Sequence, residues 1–387
     1  MATENNNKNL NVPNLRFPEF SGEWEHVALS EIAARVTRKN KDNASKLPLT
    51  ISAQYGLVDQ ISFFNKVVAS ADMSNYYLLR QGEFAYNKSY SSDYPWGAIK
   101  RLDRYPQGAL SSLYICFAVN DKVDSDFAVH YFESSKWHRE VSNIAGEGAR
   151  NHGLLNIAVG DFFDTKHRLP SSKEEQKKIA ALLNLITERI ATQIKIIEKL
   201  ESLIKGLCSS LFDKNKYDSF VRLGDISEIT NGNSDVQDAS LSYSDGMYPF
   251  FDRSEDIKFL PEYLLDKEAI IYPGEGSEFY PRYYNGKFAL HQRCYAIYDI
   301  APNFATRYLY FFCKTQNSYF VRNAVGSTVA SLRLDTFKRL NIPNIPIELQ
   351  KTYVQLLDKI ETKIVDNKIV LKKYEEQKRY LLSNLFI

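Results

Sequence analysis

The sequence predicts an α+β fold in which two β-rich blocks alternate with two long helices that form a coiled coil. The first observation is a repeat: the segment from Asp161 to Phe212 recurs without a gap 174 residues later, from Asp335 to Phe386. The second is that each copy carries apolar residues at heptad spacing, which is typical of a coiled coil. The third is that short aromatic and β-branched runs broken by Gly, Pro, Asn and Ser precede each copy, which indicates strands and turns.

Length and composition favour a globular protein with more than one domain. A chain of 387 residues is too long for one ordinary core. Its hydrophobic content of 44% and charged content of 25% are those of a soluble protein. The formal net charge of +2 neither requires nor excludes a nucleic-acid partner, because a basic face can be balanced by acidic surface elsewhere. The 25 Tyr and 23 Phe mainly indicate aromatic cores.

The changes of pattern divide the chain into five segments. These are a disordered tail (1–14), a first β-rich block (15–168), a first helix (169–214), a second β-rich block (215–345) and a second helix (346–387). The helices are repeated closely, whereas the blocks share only a weak likeness, for example between residues 29–32 and 223–226. Divergence inside a common frame indicates two versions of one recognition task.

Heptad positions in both helices predict a seam along which the helices pack. The seam positions are Leu183, Ile186, Ile190, Gln193 and Ile197 in the first helix, and Leu357, Ile360, Ile364, Asn367 and Leu371 in the second. Gln193 and Asn367 share one repeat position near the helix midpoints. If the helices are antiparallel, the two amides lie together and one polar layer sets the register. The alternatives are that both amides face solvent, or that the helices run parallel.

The cysteine pattern and the composition of the first residues predict a cytoplasmic protein. Cys116, Cys208, Cys294 and Cys313 form no C-x-x-C pair, and no His cluster has zinc-like spacing, so we expect reduced, buried thiols and no metal. The first residues are rich in Asn and Lys, unlike a signal peptide. No apolar run is long enough for a membrane span.

Motifs for chemistry are missing from the sequence. It contains no N-P-P-[FYW] or D-P-P-Y run, as adenine methyltransferases have, and no G-x-x-x-x-G-K-[ST] phosphate loop. The glycines at 274 and 276 are interpreted as a turn. Glu255, Asp256 and Lys258 resemble the acidic and lysine triplet of nucleases, but such a triplet is common by chance. We therefore predict no catalytic residue and no cofactor.

The chain resembles the specificity (S) subunit of type I restriction–modification systems. The likeness covers nearly the whole chain and rests on the alternation of blocks and helices. It also rests on local signatures: Phe-Pro-Glu-Phe at 17–20 with Trp24, Leu-Pro at 169–170 followed by residues 174–180, and the C-terminal run 381–386. The second junction departs from this pattern, because the Pro-to-Gln spacing at 346–350 is shorter than that at 170–176.

The resemblance implies a DNA-binding protein without an activity of its own. Each β-rich block would be a target recognition domain that reads one half of a bipartite site in double-stranded DNA. The helices would form an antiparallel coiled coil with pseudo-twofold symmetry that sets the spacing. Two methyltransferase (M) subunits would dock on it, and restriction (R) subunits would join. The alternative is a coiled-coil scaffold with two heads that bind a ligand other than DNA.

Polar loops are the candidate DNA-reading surfaces, because Arg and Lys suit guanine whereas Asn and Gln suit adenine. The candidates are Lys88, Tyr90, Arg150, Asn151 and His152 in the first block, and Arg282, Tyr283, Gln292, Arg293, Ser327 and Arg333 in the second. Arg150 and Arg333 rank first, because both lie shortly before the repeated segment. The alternative for each loop is an ordinary polar turn.

Overall fold

The computed structural model describes residues 11–146 and 153–387, and the chain divides into two compact units. Unit 1 comprises the chain up to Thr192 together with residues 371–387, and unit 2 comprises residues 193–370. Each unit therefore contains one β-rich block and about half of each long helix. Both helices pass from one unit to the other near their midpoints.

The block of unit 1 is built from short strands and short helices. They are β1 (Glu25–Ala28), α1 (Leu29–Ile32), β2 (Ala33–Arg35), β3 (Pro48–Ser52), β4 (Gly56–Asp59), α2 (Gln60–Phe64), β5 (Tyr77–Arg80), β6 (Phe84–Asn87), β7 (Ala98–Arg101), β8 (Gln107–Leu110), β9 (Ile115–Val119), α3 (Ser125–Glu133), α4 (His138–Ile144), α5 (Val159–Asp164) and β10 (Lys166–Leu169). The first long helix, α6 (Lys173–Leu211), follows. One sheet has the order β2-β9-β6-β7 and another the order β4-β3-β8-β5.

The block of unit 2 has one larger sheet. Its elements are β11 (Phe220–Arg222), α7 (Leu223–Ile226), β12 (Glu228–Asn231), β13 (Tyr248–Phe251), β14 (Lys258–Leu260), β15 (Leu265–Pro273), β16 (Arg282–Leu290), β17 (Cys294–Tyr298), α8 (Thr306–Lys314), α9 (Asn317–Asn323), α10 (Leu334–Lys338) and β18 (Asn341–Pro343). The second long helix, α11 (Ile347–Asn384), follows. Six strands form the sheet β12-β17-β15-β16-β13-β14.

Aromatic side chains fill both cores, as the composition predicted. In unit 1 the Phe84 and Phe117 rings stack with centroids 5.4 Å apart. In unit 2 the buried Tyr272 and Tyr308 each satisfy their hydroxyl, because Tyr272 donates to the carbonyl of Cys313 and Tyr308 to that of Pro343, both at 3.1 Å. Large rings supply much apolar area in blocks whose strands are short.

All four cysteines are buried and unpaired, which confirms the sequence prediction. Burial raises the pKa of Cys116 and of Cys313 to about 12, so both stay protonated near neutral pH. No helix within residues 11–146 and 153–387 combines the length and apolar character that a bilayer span requires.

Each block is closed by pairing its first strand with its last. β1 pairs antiparallel with β10, from Glu25 opposite Leu169, and β11 pairs antiparallel with β18, from Phe220 opposite Pro343. The chain therefore enters and leaves a block at one place. The last strand is followed within four residues by a long helix in both units. A block can thus change internally without moving the helix that follows it.

The long helices begin with recognisable caps. The Ser172 hydroxyl accepts the backbone N–H of Glu175 at 3.3 Å, the arrangement expected of an N-cap serine. Pro346 precedes α11, and its carbonyl accepts the N–H of Gln350 at 3.1 Å. A proline at this position is compatible with a helix start, since it interrupts no helical hydrogen bond.

A buried glutamine in the first turn of each long helix joins the helix to its block. Gln176 is 1% exposed; its Nε2 donates to the carbonyls of Pro170 (2.8 Å) and Lys122 (3.2 Å), and its Oε1 accepts the N–H of Asp124 (2.7 Å). Its repeat partner Gln350 is fully buried and makes the same set of three bonds. These join Nε2 to the carbonyls of Ile345 (2.9 Å) and Asn303 (3.0 Å), and Oε1 to the N–H of Ala305 (2.9 Å).

The helix halves run antiparallel within each unit. In unit 1, residues near the start of α6 share a core with residues at and just after the end of α11; these are Ile179, Leu183, Ile186, Leu381 and Leu385. In unit 2, Gln193 on α6 donates from Nε2 to the Asn367 side-chain oxygen and, at 3.3 Å, to its carbonyl. Ile197, Leu357, Ile360 and Ile364 are buried, whereas Ile190 and Leu371 are partly buried. The predicted α+β fold with two β-rich blocks and paired long helices is confirmed.

His167 is a buried titratable group in the core of unit 1. Thr165 Oγ1 already donates to the Phe162 carbonyl at 2.7 Å, so it accepts from His167 Nε2 at 2.9 Å. His167 Nδ1 then accepts from the Tyr131 hydroxyl at 2.9 Å, which specifies the neutral Nε2–H tautomer. Burial, with a smaller contribution from His26, lowers the pKa of His167 to about 4.

We expect Gln176→Ala to lower the unfolding free energy of unit 1 by about 2–4 kcal/mol, because it leaves buried backbone groups unpaired. All three tryptophans lie in unit 1, so tryptophan fluorescence in urea reports that unit. Gln350→Ala should shift the far-UV circular dichroism transition but leave the fluorescence transition in place. The control, Gln377→Ala, changes an exposed glutamine of α11. Equal behaviour of all three variants would contradict the role of the buried pair.

We expect the stability of unit 1 to depend on pH through His167. Its folded pKa of about 4 lies below the ordinary value of 6.5, so the unfolded state binds more protons between these pH values. The stabilisation is complete above pH 6.5 and is lost as the pH falls through 4, a difference of about 3 kcal/mol. Tryptophan-detected urea unfolding of His167→Gln should show a flatter pH dependence than wild type. His291→Gln, in unit 2, should retain the wild-type slope.

Candidate nucleic-acid interface

The segment after β6 carries the described candidates of unit 1. Lys88 is half-buried, and its carbonyl accepts the N–H of Leu155 at 2.9 Å. The N–H of Tyr90 donates to the carbonyl of Gly153 at 3.2 Å, and the Tyr90 ring packs against the core. The backbone of residues 88–90 is thus hydrogen-bonded to that of residues 153–155. The other three candidates, Arg150, Asn151 and His152, lie outside the described residues.

Two candidates of unit 2 lie on a strand rather than in the loop that the sequence predicted. Arg282 and Tyr283 open β16, where they pair with β15. The loop prediction was therefore wrong for them, because Tyr favours extended structure and the long β15 provides a partner for the whole run 282–288. Their side chains are also engaged within the protein.

The contacts of Arg282 and Tyr283 are structural. Arg282 Nη2 donates to the carbonyls of Asp252, at 2.8 Å, and Ser254. The Tyr283 hydroxyl donates to Glu268 at 2.6 Å, and the Arg307 guanidinium lies 4.5 Å from the Tyr283 ring centroid. Burial and Glu268 raise the pKa of Tyr283 above its ordinary range. Both side chains thus support neighbouring elements of unit 2.

The turn between β16 and β17 borders a cleft of about 570 Å³ in unit 2. It carries two candidates, Gln292 and Arg293, whose side chains are exposed. Gln292 Nε2 donates to Asp235 Oδ2 at 3.3 Å. Arg293 Nη1 lies 2.9 Å from both carboxylate oxygens of Glu275. The cleft therefore presents amide and guanidinium donors beside carboxylate acceptors, the groups with which proteins read base edges.

Asp235 and Glu275 were not among the residues predicted from the sequence. Gly274 and Gly276 were interpreted as a turn, and Glu275 indeed lies after β15 in irregular structure. The signal that was missed is an acidic residue between two glycines. Asp235 similarly follows the polar run 231–234. In both cases the partner is distant along the chain, so local sequence provides no reason to select the acidic residue.

An ion pair lines another part of the cleft. Asp252 is 4% exposed and pairs with Lys258 Nζ. Burial acts to raise the pKa of Asp252, but the Lys258 and Ser254 contacts outweigh it and lower that pKa below its ordinary value. Lys258 is therefore the partner of a buried carboxylate. Within the described residues, no group of three or more His, Cys, Asp or Glu is placed to hold a metal ion.

The loop with the remaining candidates adjoins Glu275. Ser327 and Arg333 are both exposed, and Arg333 directly precedes α10. The N–H of Gly276 donates to the carbonyl of Ala330 at 3.1 Å, and Ser331 Oγ lies 3.5 Å from Glu275 Oε1. The structure thus brings the loop 325–333 close to the turn that carries Gln292 and Arg293.

Comparison with known proteins identifies both a domain family and a fold. Residues 216–373 match the family model of the type I restriction modification DNA specificity domain. The fold resembles the crystal structure of a type I restriction-modification system S subunit from M. genitalium, with a TM-score of 0.64 and 16% identity over 97% of this chain and 99% of that chain.

A second solved structure supports the same fold. It is described as the structural basis of complex assembly and conformational transition of the type I R-M system. The TM-score is 0.56, with 15% identity over 96% of this chain and 99% of that chain. No curated protein matches the chain in sequence.

Proposed function

We propose that this chain selects the DNA sequence on which a type I restriction–modification complex acts. The observation that carries the proposal is the match of residues 216–373 to the DNA specificity domain. The S-subunit fold over nearly the whole chain extends the proposal to the first block.

The two β-rich blocks are the two readers of a bipartite target in this proposal. We assign the first target recognition domain to residues 15–168 and the second to residues 215–345. Each block is closed by a strand pair and followed directly by a long helix. Their internal sheets differ, with two four-stranded sheets in one and a six-stranded sheet in the other. Different sheets on equivalent supports suit two readers of different half-sites.

DNA contacts in each block are assigned to polar residues. In the first block they are Lys88, Tyr90, Arg150, Asn151 and His152. In the second block, exposure favours Gln292, Arg293, Ser327 and Arg333 over Arg282 and Tyr283, whose side chains are engaged in the protein. Arg293 and Gln292 at the cleft read base edges. Ser327 and Arg333 contact the phosphate backbone and so position the protein on the DNA.

The long helices provide the docking surface for two M subunits, and R subunits join the resulting complex. The seam covers one face of each helix, yet apolar side chains remain exposed on another. In unit 2 these include Ile194, Leu203, Val365 and Ile369. Exposed apolar groups on paired helices favour burial against further helices. The missing methyltransferase and phosphate-loop motifs assign the chemistry to those partners.

Exchange of one block tests the reading function. A variant in which residues 15–168 are replaced by those of a related S subunit should direct methylation to a site changed in one half only. The measurement is a genome-wide map of methylated adenine in a host that expresses the variant with its M partner. A change in both halves, or in neither, would contradict the assignment of one half-site to each block.

Docking through the exposed helix face gives a second expectation. Leu203→Glu combined with Ile369→Glu should weaken co-purification with the M subunit by at least about tenfold, because two charges enter an apolar interface. The matched control, Lys363→Glu, changes an exposed polar position on α11. If the control weakens co-purification as much as the double variant, the apolar face is not the docking surface.

A further inference from the structure

The turn between β16 and β17 is held closely by a loop on each side. A Cβ on Gly232 would lie 1.9 Å from the carbonyl oxygen of Leu290, and a Cβ on Gly274 would lie 2.0 Å from that of Arg293. Only glycine permits such an approach. The backbone N–H of Gln292 also donates to the carbonyl of Ser234 at 3.0 Å. The position of this turn is therefore determined by both neighbouring loops.

Each neighbouring loop places one acidic side chain beside the turn, Asp235 next to Gln292 and Glu275 next to Arg293. The residue after Gly274 is Glu275, whose carboxylate receives Arg293 Nη1 at 2.9 Å to both oxygens. The backbone of Glu275 pairs with that of Ser331, which fixes it from a third direction. The Glu275 side chain is 18% exposed and that of Arg293 is 61% exposed. The carboxylate is thus held firmly, while the guanidinium extends into solvent at the cleft.

Stability does not explain this pair. An exposed ion pair contributes only about 0–1 kcal/mol, since water screens it. Within residues 11–146 and 153–387, Arg293 makes side-chain hydrogen bonds through Nη1, so its Nε and Nη2 donors remain for another partner. Two parallel N–H donors are the group that matches guanine O6 and N7 in the major groove, and a carboxylate accepts from cytosine N4.

On the basis of the proposed function, we infer that Arg293 and Glu275 together read one G·C base pair in the half-site of the second block. Arg293 donates to guanine O6 and N7, and Glu275 accepts from the N4 amino group of the paired cytosine. Guanine O6 and cytosine N4 are neighbours in the major groove because they are hydrogen-bonded to each other. The Arg293–Glu275 contact likewise places the two protein groups next to each other.

The test uses the chain assembled with its M subunits and duplexes derived from the wild-type methylation motif. Each duplex changes one base pair, and competition binding measures the discrimination at that position. Wild type should prefer G·C at one position of the second half-site by about 5- to 150-fold. Both Arg293→Ala and Glu275→Gln should lose most of that preference at the same position and keep the others. Binding is measured at low and moderate salt, so that weakened variants still bind.

A control and the contrary outcomes make the test decisive. Lys267→Ala removes another exposed ion pair, with Asp299, and Lys267 lies on β15 at the other end from Glu275. This variant should discriminate as wild type does. If Arg293→Ala weakens all duplexes equally, or the two variants relax different base pairs, the inference is overturned while the proposed function stands. If wild type itself shows no preference among the duplexes, the proposed function fails.

Discussion

One buried glutamine near the start of each long helix determines where that helix leaves its β-rich block. Gln176 and Gln350 occupy the same repeat position and join the first helical turn to the loop before α3 and the loop before α8. The closing strand pair ends only a few residues earlier. The direction of the helix therefore follows from the block that precedes it. The packing along the heptad seams depends on this direction, because a helix that left its block at another angle would turn a different face toward its partner helix.

The two junctions share a frame but not their polar contacts. At one repeat position unit 1 has Asn184, which receives His130 Nε2 at 2.8 Å, and unit 2 has Asp358, which accepts Arg307 Nε at 3.0 Å. Arg307 also bonds Glu361 at 2.6 Å and lies over aromatic rings. Each block thus carries side chains matched to its own helix. Blocks can be exchanged most readily when these partners move together with them.

The sequence signatures that carry the resemblance to S subunits meet in space although they are far apart in the chain. Arg16 and Trp24 from the N-terminal segment both donate to Glu175 on α6, at 2.7–2.8 Å and 3.2 Å. Glu175 is a charge buried to 2% exposure, and it is tolerated because it is paired and hydrogen-bonded. Lys178 on the same helix pairs with Glu19. The N-terminal signature therefore binds the start of α6 through Glu175 and Lys178.

The α+β class, the two long helices and the repeat were predictable from the sequence, because heptad periodicity and capping are local features of the chain. It also placed Gln193 and Asn367 at equivalent positions, and in the structure they contact each other. The strand position of Arg282 and the contact between Glu275 and Arg293 were not predictable and are seen only in the folded chain. Strand pairing and side-chain partners join residues that are far apart in sequence, so periodicity and local composition carry no record of them.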